Sequence, residues 1–325
     1  MVQTKTRSEW STRGTLVALG IAPTSYYRWL REEGWAKTTS AIASVGPVQA
    51  YEALPEEKQL VREYACRHTA LRHRELAWRM IDEDVAYLSP STVYRILRAE
   101  NLVCPWRRRQ KRSREKVEKA TRPDERWGTD LMYLRIGAGQ YFLVTFLDEY
   151  SRYLVHWELL TNMGGEAVSL AAQTALDTLP KTTEGKLALT PEIRSDNGSC
   201  YISRDFRQVL EQHGLTHQRI RPHCPEENGL VERSNRTLRE ALEEVPLIGR
   251  QQAEEAIAKI IRWYNEERLH SALGYLRPID YYRGQPTVLH EARRSKLQQA
   301  RHCRRERNLK LNQPTLPLEG EHSTP

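Results

Sequence analysis

The chain has 325 residues, 50 Lys+Arg against 42 Asp+Glu and a formal net charge of +8, enough length for two or three domains around a sizeable core. No stretch approaches the roughly 20 consecutive apolar residues of a membrane-spanning helix, and the first 30 residues are polar and interrupted, so a soluble, unsecreted protein is expected. Five cysteines, odd in number and scattered, argue against a disulfide framework and for a reducing compartment.

Charge is distributed unevenly. Residues 1–122 hold 23 basic and 14 acidic side chains, residues 123–285 hold 19 and 24, and residues 286–325 hold 8 and 4. Basic arms flanking an acidic centre suit a polyanionic partner, although solvated surface carboxylates would give the same centre.

In chain order, Leu16–Ile21 reads as an apolar helix running through a Gly-bearing turn into a second helix opened by Pro23. This first module, residues 1–45, is expected to be a helix-turn-helix, with a packing αα-hairpin as the alternative. A second module, residues 46–104, repeats the idea with helices over Leu54–Ala70, Arg74–Asp82 and Tyr87–Leu97. Ser89 suits an N-cap and Pro90 a first helical position. Val93, Ile96 and Leu97 would bury one face, leaving Ser91, Thr92 and Arg95 exposed near the helix start, where a recognition helix contacts base edges and phosphates.

Residues 105–122 form a linker with nine basic and two acidic side chains. Arg107, Arg108, Arg109, Lys111, Arg112 and Arg114 are candidates for gripping DNA phosphates, against the plainer reading of a solvated charge run.

The segment from 123 to 285 reads as strands before helices. Trp127–Arg135, Gln140–Glu149 and Arg152–Leu160 are β-rich runs separated by Gly137-Ala138-Gly139 and Tyr150-Ser151, which predicts an antiparallel meander. A helix over Gly165–Leu179, a strand over Glu192–Asp196, a helix over Ser203–His213, a strand over Thr216–Arg219 and helices over Pro225–Glu244 and Gln252–Glu266 follow. Residues 286–325 begin as a basic helix over His290–Lys310 and end in a Pro-rich tail without fixed structure.

Three carboxylates stand out by context. Asp130 ends Trp-Gly-Thr-Asp at an alternating apolar run, Asp196 lies in Arg-Ser-Asp-Asn-Gly-Ser, and Glu232 lies in Asn-Gly-Leu-Val-Glu-Arg-Ser-Asn-Arg. Converging carboxylates that cannot all stay ionised without a counter-charge suit Mg²⁺ or Mn²⁺, and a pair of such ions catalyses in-line phosphoryl transfer. Arg239 lies seven residues after Glu232, close to two helical turns, and suits a phosphate-positioning role, with a solvated side chain as the alternative. Asn197 and Asn228 flank the carboxylates and could orient water or cap their own turns.

Residues 124–285 resemble the catalytic core of DDE transposases of insertion sequences, whose cores are like those of retroviral integrases. The resemblance is carried by Trp127–Asp130, Ser195 with Asn197-Gly198, Arg221–Pro225 to Asn228-Gly229, Glu232, Tyr264-Asn265 and His270–Tyr275. It implies an α+β multidomain chain: N-terminal helix-turn-helix modules, a ribonuclease H-like α/β domain with a mixed five-stranded sheet, and a basic C-terminal helix and tail. It also implies a catalytic and metal-binding triad of Asp130, Asp196 and Glu232 holding two Mg²⁺ or Mn²⁺ ions, of which Asp130 bridges both. The activity it implies is cleavage and strand transfer at the ends of a mobile DNA element. Double-stranded DNA, self-association on DNA, a separately encoded element protein and a bacterial, nucleoid-associated cytoplasmic location follow from the same resemblance. A transposon-derived protein that bridges DNA sites without catalysis is the competing reading.

Overall fold

The computed structural model describes residues 11–32, 48–103, 119–221 and 227–312. Residues Met1–Glu52 with Cys303–Pro325 form one compact unit, and Ala53–His302 form the other.

In the first unit, α1 (Thr12–Ala18) is opened by Ser11, whose hydroxyl accepts from Gly14 N, and α2 (Pro23–Glu32) follows a turn at Gly20 with φ +66°. The last turns of α12 (Pro286–Leu311) hold the 48–52 segment, since Asn308 Nδ2 donates to the carbonyls of Gln49, Ala50 and Glu52.

The second unit begins with α3 (Pro55–Arg67), α4 (His73–Asp82) and α5 (Pro90–Ala99), which share a core including Val61, Tyr64, Leu76, Met80, Val93 and Leu97. The Ser89 hydroxyl accepts from Thr92 N, so α5 starts where the Ser-Pro pair directs it.

The strands β1 (Arg126–Ile136), β2 (Gly139–Asp148), β3 (Leu154–Leu160), β4 (Glu192–Ser195) and β5 (His217–Arg219) form one sheet in the order β3-β2-β1-β4-β5. The first three are antiparallel, while β4 and β5 run parallel to β1. Gly137 turns the β1–β2 hairpin at φ +56°, where an added Cβ would lie 2.7 Å from the Ile248 carbonyl.

Side chains alternate across the sheet. Trp127, Val144, Phe146 and Ile193 pack under α6 (Gly165–Asp177) and α8 (Arg204–Gln212). Met132, Leu134, Ile136, Leu143 and Leu147 pack under α9 (Gly229–Leu242) and α10 (Arg250–Glu266). Even-numbered β1 residues therefore face α9, and Asp130 belongs to that row. The mixed five-stranded sheet between two helix layers is the ribonuclease H-like arrangement.

Three local features depart from the sequence reading. Helix α9 begins at Gly229 rather than Pro225, a short α7 (Ser199–Ile202) precedes α8, and α11 (Pro278–Tyr282) sits between α10 and α12. The two extra helices span four and five residues, too short for hydrophobic periodicity to register.

Candidate active site

Asp130 lies mid-strand in β1, opposite Thr145 of β2. The parallel pairing of β1 with β4 sets Gly128 beside Arg194, and continuing that register by two residues takes Asp130 to Asp196. Asp196 follows β4 directly, in a turn closed by its own carboxylate: Oδ1 accepts from Gly198 N at 2.9 Å. A Cβ at Gly198 would lie 2.9 Å from that oxygen, which is why the turn takes glycine. Asn197 donates to the Ile220 carbonyl at 3.0 Å and so ties this loop to the end of β5.

Glu232 arrives on α9. The helix approaches β1 so closely that a Cβ on Gly128 would stand 2.3 Å from Val231 Cγ2, so the glycine of Trp-Gly-Thr-Asp admits the helix that bears Glu232. One turn further on, the Asn235 amide bridges helix and sheet: Nδ2 donates to Asp130 Oδ2 at 3.0 Å, and Oδ1 accepts from the Thr145 hydroxyl at 3.0 Å.

Burial pushes the Asp130 carboxyl up to about 6, against hydrogen bonds from Leu131 N and Asn235 that pull it down. The negative charges of Asp196 and Glu232 add to the rise. The three carboxylates thus share one electrostatic neighbourhood. Among the described residues, no group of three or more His, Cys, Asp or Glu side chains closes into a set that could hold a metal ion. Asp130 and Asp196 spend oxygens on Asn235, Leu131 and Gly198. The donor set is nevertheless all hard oxygen, which fits Mg²⁺ or Mn²⁺ and not a thiolate-seeking metal.

Beneath the site, Arg194 donates to Glu149 at 2.9 Å and to Gln218 at 2.6 Å, with Arg126 3.8 Å from Glu149. This network, buried at Arg194, Glu149 and Arg126 and exposed at Gln218, ties β1, β4 and β5 to the residue after β2, two residues along the strands from Asp130 and Asp196.

The remaining candidates lie elsewhere. Arg239 is exposed on α9, and Ser91 and Arg95 are exposed on α5. Thr92 is half-buried and its hydroxyl is engaged by Ser89 at 2.9 Å and by Arg95 at 3.3 Å. Asn228 does not cap α9 with its side chain; it is buried, and its Oδ1 has no hydrogen-bond partner. Arg107, Arg108, Arg109, Lys111, Arg112 and Arg114 lie outside the described residues. Thr145 carried no motif signal, while Asn235 lay within the motif around Glu232 without being singled out. Its three-residue spacing from Glu232, one helical turn, is the signal that points toward the site.

Residues 120–225 and 213–278 each match a family described as Integrase core domain. The InsD transposase assigned to insertion element IS2E of Escherichia coli (strain K12) is 30% identical over 205 residues, covering 60% of this chain and 92% of that protein. The chain belongs to the insertion-element transposases with an integrase core. The InsD transposase for insertion element IS2A/D/F/H/I/K of Escherichia coli aligns at the same identity over 66% of its own length. The HTLV-2 integrase catalytic core in complex with magnesium aligns with half of this transposase and 99% of its own chain, at 18% identity and a TM-score of 0.40. As a member of this family, the protein is a polynucleotidyl transferase of DNA transposition.

Proposed function

We propose that this transposase cuts and joins the ends of its element at a centre made of Asp130, Asp196 and Glu232. The observation that carries the reading is geometric: the β1–β4 register leads Asp130 to Asp196, and Asn235, one turn after Glu232 on α9, donates to Asp130 at 3.0 Å.

Asp130, Asp196 and Glu232 would hold Mg²⁺ or Mn²⁺, two ions per site. Such ions, when bound, supply a more acidic attacking hydroxyl and stabilise the departing oxygen of a phosphodiester. Asn235 holds Asp130 in a fixed orientation through Oδ2 and leaves Oδ1 turned toward its own backbone. Gly198 does the same for one oxygen of Asp196. Exposed Glu232 keeps its carboxylate free to swing inward. Arg239, two turns along the same helix, would hold a phosphate of the strand being cut.

Ser91, Thr92 and Arg95 would read the element end in the major groove, with the Thr92 hydroxyl helping to orient Arg95. The basic run from Arg107 to Arg114 would hold phosphates of any sequence. Two ends must be joined in concert, so at least two copies meet on DNA, with a separately encoded element protein as a further partner. Bacterial relatives favour a cytoplasmic site of action near the chromosome, and no helix among the described residues is long and apolar enough to cross a membrane.

The test uses Asp130→Asn, Asp196→Asn and Glu232→Gln in the full chain with a labelled duplex of the element end. Each variant is expected to keep DNA binding and lose cleavage and joining in Mg²⁺. Near-normal cleavage by any one of them removes that residue from the centre, and near-normal cleavage by all three leaves a DNA-bridging protein as the better reading.

A further inference from the structure

Each aspartate of the proposed centre follows a buried hydroxyl. Thr129 precedes Asp130, Ser195 precedes Asp196, and both are fully buried. Because side chains alternate along a strand, these hydroxyls lie on the face of Trp127 and Ile193, which packs under α6 and α8, and not on the face that carries Asp130.

On that opposite face an aromatic wall stands behind the two strands. Tyr201 of α7 meets Phe206 of α8 edge-on with ring centres 5.3 Å apart, and Phe206 meets His217 of β5 in the same way at 5.4 Å. The Tyr201 hydroxyl lies 3.2 Å from that of Thr129, and His217 Nε2 lies 2.9 Å from the Ser195 hydroxyl. The register that pairs Ile193 with His217 puts the imidazole on the Ser195 side of the sheet, so this contact follows from strand pairing. Phe206 is fully buried and packs against the imidazole, which restricts its rotation.

The Ser195 hydroxyl also donates to the Asp196 carbonyl at 2.8 Å. A hydroxyl has a single proton to give. With that proton on the Asp196 carbonyl, the contact to His217 requires the imidazole to donate, which places a proton on Nε2. The contacts then run in one direction, from His217 through Ser195 to the backbone of Asp196. That carbonyl belongs to the peptide plane joining Asp196 to Asn197, so holding it holds the main chain from which the carboxylate projects. Asn197 fastens the loop to the Ile220 carbonyl at 3.0 Å, and Gly198 N holds Asp196 Oδ1 at 2.9 Å. The contact from His217 adds a hold on the main chain of Asp196 itself.

We propose that His217 is a positioning residue for the reaction: its Nε2–H holds the Ser195 hydroxyl, and Ser195 holds the main chain at Asp196, so that the carboxylate meets a divalent cation in one orientation. The inference rests on reading Asp196 as a metal ligand of the centre.

The experiment uses the full chain and two measurements, Mn²⁺ binding by titration calorimetry and cleavage of a labelled element-end duplex at rising Mg²⁺. Glutamine carries an NH₂ donor near the reach of the imidazole Nε2, whereas leucine fills the space against Phe206 without one. His217→Leu is expected to weaken Mn²⁺ binding about tenfold and to raise the Mg²⁺ needed for half-maximal cleavage to match, while His217→Gln stays within about twofold of the parent. Ser195→Ala breaks the same chain of contacts and should resemble His217→Leu. Adding His217→Leu to it should cost nothing further, because residues joined in one network are not additive. Equal behaviour of the Leu and Gln variants, or losses that add in the double variant, overturns the assignment. Ser195→Ala removes one buried oxygen, so it decides the matter where His217→Leu fails to fold, and unaltered Mn²⁺ binding by it then overturns the proposal. Near-normal cleavage by Asp196→Asn removes Asp196 from the centre and the inference with it. Lost cleavage in Asp196→Asn beside equal Leu and Gln variants discards the role of His217 alone.

Discussion

The Asn235 side chain hands its amide to Asp130 in only one sense, because the Thr145 hydroxyl occupies the carbonyl end and leaves the NH₂ end to face the carboxylate. Asp130 and Thr145 are cross-strand partners, so strand pairing, helix packing and carboxylate orientation are a single arrangement. Replacing Asn235 by Leu removes the donor and keeps the bulk. Cleavage is expected to fall about 10–100-fold, the usual cost of losing an orienting partner of a metal ligand, with DNA binding unchanged. Thr145→Val should give a smaller loss of the same kind. A titration of cleavage rate against Mg²⁺ checks both, and an unaltered curve for Asn235→Leu would show that Asp130 needs no such support.

Gly128 sets how near α9 comes. An alanine there would place its Cβ 2.3 Å from Val231 Cγ2, within the strand–helix contact that delivers Glu232. Gly128→Ala should destabilise the core by about 1–3 kcal/mol through overpacking and reduce cleavage by displacing α9. Val231→Ala removes the opposing methyl, so the double variant should recover part of both losses. Thermal melts and cleavage assays on the three proteins decide it, and a double variant worse than the sum of its parts would contradict the steric account.

Much of the core could be read from sequence because its signals are periodic and local. Alternation marked β1 to β3, Gly137 marked the first hairpin, and Ser89-Pro90 marked the start of α5 within a residue or two. The strand and helix that carry Asp130 and Glu232 and the turn that carries Asp196 were legible because alternation, helical spacing and the Asp-Asn-Gly turn are local signals. The pairs that orient the carboxylates were not. Asn235 reaches Thr145 across 90 residues and Asp130 across 105, and Arg194 reaches Glu149 across 45, with no local pattern to link them. Asn228 shows the limit from the other side: its place beside the carboxylates suggested that it orients water or caps its own turn, yet its side chain is buried and its Oδ1 has no hydrogen-bond partner.

Burial lowers His270 to about 3, with the charges of Arg268, Arg152 and Arg233 acting in the same direction. A histidine held neutral in the fold but free to protonate when unfolded stabilises the protein fully above about pH 6.5. That stability is lost as pH falls from 6.5 toward 3, by up to about 1.4 kcal/mol per unit. Comparing urea unfolding of the parent and His270→Gln at several pH values between 7 and 4 isolates this group, since His73, His217 and His290 remain in both. The parent should lose stability more steeply on acidification. Parallel pH profiles would mean that His270 titrates normally in the fold.

Arg293 on α12 ties the helices before the sheet to the loop after α10. Its Nε and Nη2 grip Asp82 at 2.8 and 2.6 Å, its Nη1 and Nη2 donate to the carbonyls of Gly274 and Tyr275, and its guanidinium lies 5.0 Å from the Trp78 ring centre. Arg293 is 5% exposed but Asp82 is 40% exposed, so water screens the ion pair and the two carbonyl bonds carry more of the loss. Arg293→Ala should therefore cost about 2–3 kcal/mol, in line with hydrogen bonds from a charged donor left unmade. Arg293→Lys should recover little, because an ammonium cannot make the forked contact, span to two carbonyls and stack on Trp78 together. Hydrogen exchange provides the measurement: amides of α4 and of residues 270–276 should speed up in both variants, while those of β1 and β2 hold. Faster exchange confined to one of the two segments would mean that Arg293 braces that segment alone and does not join them.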